Sequence, residues 1–162
     1  MVFRFSPKEV LTMAAELERR GIAFYEGLER KTQKQEGKKI FQFLADEEKR
    51  HLEIFSDLLG KVPEVFLDTD EEASRYLGAM VESGVLRRVL QGEVDVERLG
   101  ISEALDIGIQ VEKESILFYQ GFLPFVVEEK RQWVETIIAE EKRHLVRLST
   151  LKEEILGGTV SI

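Results

Sequence analysis

The chain has 162 residues, 43% of them hydrophobic, which is enough to bury one sizeable core in a single domain. A net charge of −8, with no Lys/Arg cluster standing free of acids, speaks against a nucleic-acid partner, since neutralising phosphates needs a basic surface. The absence of cysteine excludes disulfides, thiolate ligands and Cys-rich zinc or iron-sulfur sites.

Charged residues make up 33%, and proline is confined to Pro7, Pro63 and Pro124, so the composition favours long helices over strands and an all-α fold. The N-terminus has no basic-then-apolar signal pattern, and no apolar run approaches the roughly 18 residues of a membrane span. A soluble, cytoplasmic protein without a membrane partner is expected.

Ser6-Pro7-Lys8-Glu9 reads as a capping box that opens the first helix, with serine at the N-cap and glutamate reaching back to the cap amide. Val10, Leu11, Ala14, Leu17, Ile22, Tyr25 and Leu28 then keep one face apolar up to the polar run Lys31 to Gly37. A second helix is predicted from Lys38, carrying Ile40, Phe41, Phe43, Leu44, Leu52, Phe55, Leu58 and Leu59, and stopping at Gly60. Residues 61 to 101 form a long crossover. Within it Thr69-Asp70-Glu71-Glu72 is a candidate N-cap for a helix to about Ser83, followed by a shorter one near Val85 to Leu90. Ser102 is predicted to cap the third long helix, which ends near Pro124, and the fourth runs from about Glu128 to Leu156 before Gly157-Gly158 and a loose four-residue tail.

The sequence repeats itself. Glu47-Glu48-Lys49-Arg50-His51-Leu52 recurs as Glu140-Glu141-Lys142-Arg143-His144-Leu145, an offset of 93. The preceding helices also match, at an offset of 94: Leu11 with Leu105, Glu18 with Glu112, Ile22 with Ile116, Phe24 with Phe118, and Tyr25 with Tyr119. The chain is therefore read as two tandem helical hairpins, one residue having been gained or lost in a hairpin loop. A crossover as long as residues 61 to 101 lets the hairpins pack as in ferritin-like four-helix bundles rather than simple up-down ones.

Each repeat carries the same polar residues on its apolar-periodic helices. Seven residues advance a helix by about 700°, roughly 20° short of two turns, so Glu18 shares a face with the aromatic Tyr25, and Glu112 with Tyr119. Taken alone, such a glutamate reads as an exposed charge at the edge of the apolar stripe. A single Glu-x-x-His is equally common on solvated helices, although a spacing of three does put both side chains on one face. All three residues recur together, however, and His51 and His144 are the only histidines in the chain. Glu18, Glu48, Glu112 and Glu141 with His51 and His144 make four carboxylates and two imidazoles, the set for a di-iron or di-manganese site in a four-helix bundle. Glu47 and Glu140, four residues before their histidines, remain geometrically possible ligands. Met1, Met13 and Met80 follow no haem-ligand pattern, and Trp133 and the phenylalanines read as core.

Through Glu18 with Phe24-Tyr25, Glu48 with His51, Glu112 with Phe118-Tyr119, and Glu141 with His144, the chain resembles the rubrerythrin-like branch of the ferritin-like superfamily over nearly its whole length. That resemblance implies a ferritin-like four-helix bundle, a non-haem centre of two iron ions (manganese or a mixed pair being the variant), and chemistry with hydrogen peroxide or dioxygen. It selects Glu48 and Glu141 over Glu47 and Glu140. Two departures stand out: there is no cysteine for a rubredoxin-type electron relay, and Ser115 occupies the place of the family's further glutamate three residues after Glu112. Both weigh against a self-contained peroxidase and call for an external electron donor.

Tyr25 and Tyr119 are candidates to pack and to orient ligand carboxylates by hydrogen bonding. The first functional reading is a di-iron oxidoreductase, a peroxidase or oxidase, working as a homo-oligomer, a dimer. The alternative is an iron-binding, ferroxidase-type metal-handling protein that turns over no organic substrate. A vestigial site in a purely structural bundle fits least, because all six positions are intact.

Overall fold

The computed structural model describes residues 5–65, 67 and 70–160. Four long helices form the body: α1 (Pro7–Lys31), α2 (Gln35–Gly60), α6 (Ile101–Phe122) and α7 (Glu128–Leu156), with α3 (Val62–Val65), α4 (Glu71–Glu82) and α5 (Gly84–Leu90) in the crossover. Among the described residues no helix is long and apolar enough to cross a membrane.

The capping box at Ser6 forms as expected: Glu9 N–H donates to Ser6 Oγ (3.3 Å) and Ser6 N–H to Glu9 Oε2 (2.8 Å). Thr32 ends α1, its hydroxyl donating back to the Leu28 carbonyl at 2.6 Å. Two helix starts differ from expectation. α2 begins at Gln35 rather than Lys38, and α6 begins at Ile101 with Gly100 as its N-cap, leaving Ser102 inside the first turn. Leu99 and Ile101 are half-buried against the apolar cluster at that end of the bundle, so packing draws the helix past the serine. In the crossover Asp70 caps α4 by accepting the Ala73 N–H at 2.8 Å, while Thr69 lies outside the described residues. The short helix α3 and 3-10 turns at Val96–Arg98 and Leu123–Phe125 add to the expected elements. In the expected loose tail, Thr159 and Val160 N–H groups bond the Glu154 carbonyl, and Val160 packs on the core; Ser161 and Ile162 lie outside the described residues.

Burial fixes the chain directions. One apolar cluster gathers Val10, Leu11 and Leu17 of α1 with Phe55 and Leu58 of α2, Phe118 and Phe122 of α6, and Val134 and Ile137 of α7. A second gathers Tyr25 and Leu28, Phe41 and Leu44, Ala104 and Leu105, and Leu148 and Leu151 of the same four helices. Helices α1 and α7 therefore run one way, and α2 and α6 the other. Since α2 ends beside the first cluster and α6 starts beside the second, the crossover must travel the length of the bundle. This is the ferritin-like arrangement, and it accounts for a connection too long for a hairpin turn.

Of the crossover helices, α4 and α5 lie against α6, α5 also touches α1, and α3 lies against α2. Glu114 of α6 fastens α5 by accepting the Val85 and Leu86 N–H groups, both at 3.0 Å. Gly84 precedes them at φ +68°, and a Cβ there would sit 2.6 Å from the Glu114 carboxylate oxygens. Trp133, expected in the core, is instead 37% exposed at the rim of α7, with Lys130 Nζ 4.1 Å from its ring centroid. Phe43 is likewise exposed, under the Arg147 guanidinium.

Candidate metal centre

Between the two apolar clusters each long helix contributes charged or imidazole side chains to a buried layer. Glu18, Glu48, His51, Glu112, Glu141 and His144 are all buried there. Ligand atoms of Glu18, Glu48, His51 and Glu141 lie within 4.8 Å of one another, as do those of Glu48, Glu112, Glu141 and His144. The two sets share Glu48 and Glu141.

The shared glutamates divide their oxygens between the histidines. Glu48 places Oε2 3.2 Å from His51 Nδ1 and Oε1 3.4 Å from His144 Nδ1. Glu141 places Oε1 3.1 Å from His51 Nδ1 and Oε2 3.0 Å from His144 Nδ1. Glu18 completes the first set at 3.5 Å from His51 Nδ1, and Glu112 the second at 3.8 Å from His144 Nδ1. The imidazole rings face each other, nearly parallel, with centroids 5.7 Å apart.

The outward nitrogens of the histidines are held by the other half of the repeat. His51 Nε2–H donates to Glu140 Oε2 (2.8 Å) and His144 Nε2–H to Glu47 Oε2 (3.2 Å). Arg50 Nη2 ties both outer carboxylates, at 2.6 Å from Glu140 and 2.9 Å from Glu47. With Nε2 so engaged, Nδ1 of each ring is left facing the shared carboxylates, the arrangement by which outer partners orient imidazole ligands. Glu47 and Glu140 thus hold the histidines from outside and belong to neither ligand set. Their signal was the repeated Glu-Glu doublet, which spacing alone could not divide into inner and outer roles.

The tyrosines cross over too. Tyr25 Oη donates to Glu112 and Tyr119 Oη to Glu18. Tyr25 and Glu18 share a face, but they stand about 10 Å apart along the helix axis, so each tyrosine bonds the glutamate of the other hairpin.

Charge in the layer is balanced by protons. Burial, then the Glu48 and Glu141 charges, push Glu18 well above the usual carboxyl range, and burial with Glu141 and Glu48 does the same to Glu112. Burial would also raise Glu48 and Glu141, as the Glu141 charge does for Glu48, but the adjacent His144 and His51 outweigh this and hold both low. Burial disfavours the imidazolium form, yet the adjacent carboxylates of Glu141 and Glu48 raise His144 to about 11, and those of Glu141, Glu18 and Glu48 raise His51 as well. Burial, reinforced by the adjacent Glu112 or Glu18 charge, raises Tyr25 and Tyr119, so both stay protonated as donors.

Glu141 Oε2 and His144 Nδ1 remain buried without a hydrogen-bond partner, 3.0 Å apart. A buried polar atom left unpaired costs free energy that a cation between the two would remove. Carboxylate oxygens with one imidazole per position are a donor set suited to iron or manganese. The residues fit such a group.

The sequence profile of the rubrerythrin family matches residues 9–152. The chain belongs to this family. A rubrerythrin-family structure with this fold is similar to the crystal structure of a candidate ferritin-like diiron-carboxylate protein from Thermotoga maritima, at 28% identity and a TM-score of 0.67, covering 93% of this chain and 97% of that one. No curated protein matches it. As a rubrerythrin-family diiron-carboxylate protein, the chain carries its buried Glu/His cluster where iron binding is to be sought.

Proposed function

We propose that the protein is a non-haem di-iron oxidoreductase that reduces hydrogen peroxide or dioxygen with electrons from an external donor. The observation that carries this reading is the pair of buried ligand sets sharing Glu48 and Glu141. Iron held by these residues would supply the two electrons that, with two protons, reduce peroxide to two waters.

The protein's own residues set the conditions for that reaction. Glu48 and Glu141 span both positions, while Glu18 with His51 and Glu112 with His144 close the two ends. Tyr25 and Tyr119 fix the end carboxylates. Glu140 and Glu47, anchored by Arg50, fix the imidazoles. Apolar clusters above and below bound the layer, and their low polarity strengthens the charge interactions inside it. These residues include no cysteine for a thiolate relay, and we assign the electrons to an external reductase or rubredoxin-like donor.

The test is metal analysis of protein purified without chelator, followed by anaerobic addition of peroxide with and without a reduced rubredoxin. Two irons per chain and peroxide consumption that continues only with the donor are expected. Iron uptake and oxidation with no donor-dependent turnover would instead identify an iron-handling protein.

A further inference from the structure

Beside the ligand layer, between α1 and α6, lies a cavity of about 280 Å³. It exists because each of these helices packs mainly on its own hairpin partner, and because small residues face the gap. Gly21 and Ser115, both on the cavity wall, stand at equivalent positions of the repeat, three residues after Glu18 and Glu112. A Cβ at residue 21 would already lie 3.4 Å from the Glu48 carboxylate.

The floor is the metal layer itself, through Glu18, Glu48, Glu112 and Glu141, with Ser115 offering a hydroxyl. Its inner walls are apolar, Leu17 and Phe24 from α1 and Ile107 and Val111 from α6, while the exposed Arg20, Arg30, Asp95 and Glu97 stand at its rim. Val94 and Val96 of the crossover close it from outside. This strap is seated on α1, where Val96 fits against Gly27 so closely that a Cβ there would be 2.3 Å from its methyl. Arg30 Nη2 to Glu97 Oε1 (2.9 Å) and Lys31 Nζ to the Glu97 carbonyl (3.0 Å) hold the strap's far end.

Size and lining decide what belongs in the space. Peroxide or dioxygen has two heavy atoms, whereas the cavity has room for about nine waters at roughly 30 Å³ each. That approaches the lower bound of small-molecule pockets, about 300 Å³. The carboxyls and imidazoles of the layer balance one another's charge, the rim carries both signs, and aliphatic inner walls give a charged body no solvation. We propose that the cavity is a binding site for an uncharged, mainly aliphatic organic molecule of about nine carbons, its single oxygen-bearing end at the Ser115 and Glu18 floor. The proposal rests on the di-iron reading only for what happens at that end; binding itself needs no metal.

Calorimetric titration with 1-butanol, 1-hexanol, 1-octanol and 1-dodecanol, against both chelated and anaerobic iron-loaded protein, tests it. Affinity is expected to rise about fourfold per added methylene, the equivalent of burying one CH₂, and to stop rising near nine carbons, where the volume is full. Val94 is half-buried in the strap and Ala23 is exposed at the cavity mouth, so neither substitution reaches the core of the bundle. Val94→Ala should move the limit to longer alcohols. Val94→Phe and Ala23→Phe should move it to shorter ones and weaken octanol at least tenfold, with iron content and melting temperature unchanged. Affinity independent of chain length, or the same limit in all four proteins, overturns the proposal. Iron loading without alcohol binding leaves the di-iron reading standing and removes this one; alcohol binding by a protein that takes up no iron does the reverse.

Discussion

Glu18 and Glu112 occupy equivalent positions, and each owes its orientation to a tyrosine from the opposite hairpin. The consequence is a crossed phenotype. Tyr25→Phe should weaken the metal position served by Glu112 and His144, and Tyr119→Phe the one served by Glu18 and His51, each by about tenfold, as loss of a partner that orients a ligand typically does. Stepwise ferrous titration under anaerobic conditions checks it: in each variant one binding step should weaken and the other stay. The proton inventory makes a second prediction. In the metal-free layer burial favours the protonated forms of Glu18 and Glu112, and the surrounding carboxylates favour an extra proton on each of His51 and His144. Loading two divalent ions should therefore release protons, measurable in weakly buffered solution. Stability follows with a definite sign. The histidine pairings are fully present below the unfolded value of 6.5 and are lost as pH rises toward about 11 for His144. Glu18 and Glu112, raised above 4.5, act in the same direction, while the lowered Glu48 and Glu141 contribute above 4.5 and lose that contribution only in acid. Chelated protein should accordingly melt at lower temperature as pH rises from 6.5 to 10, and the gain from added metal should grow.

At the scale of elements, Glu114 of α6 fastens the start of α5. Glu114→Ala would leave the Val85 and Leu86 N–H groups without their acceptor at the start of α5, a loss of about 1–3 kcal/mol for a partly buried pair. Hydrogen exchange at those two amides should accelerate, with α2 and α7 amides unchanged. The helices themselves were legible where local chemistry and packing agree: the Ser6 box, the Gly157-Gly158 stop, and the two crossover helices all stand close to where their residues place them. Ser102 misled because a good cap is only a local preference, and burying Leu99 and Ile101 outweighed it. Trp133 misled because its chemistry, not its helical phase, suggested the core; Val134, Ile137 and Ile138 take the inward face. Duplication made the six inner residues legible. The outer roles of Glu47, Glu140 and Arg50 were not, since they depend on which helix faces which, and a spacing within one helix carries no such information.

Across the whole molecule, a polar layer divides the core in two, so the bundle gives up apolar contact where it hosts the site. Replacing a buried charge by a packed apolar group is often neutral or stabilising. Glu18→Leu and Glu112→Leu should therefore melt no lower than wild type in chelator. Each should also lose most of the rise that ferrous iron gives wild type, because that rise is mass action by a ligand of the folded state. A drop in chelator together with an undiminished gain from iron would make these glutamates structural. The most direct test of two metal positions sharing Glu48 and Glu141 is a crystal structure of iron-loaded protein with anomalous data collected at the iron edge. Two peaks about 3.5–4 Å apart are expected, one beside His51 Nδ1 and Glu18, the other beside His144 Nδ1 and Glu112, both touching Glu48 and Glu141. A single peak, or peaks bound through Glu47 and Glu140, would contradict it.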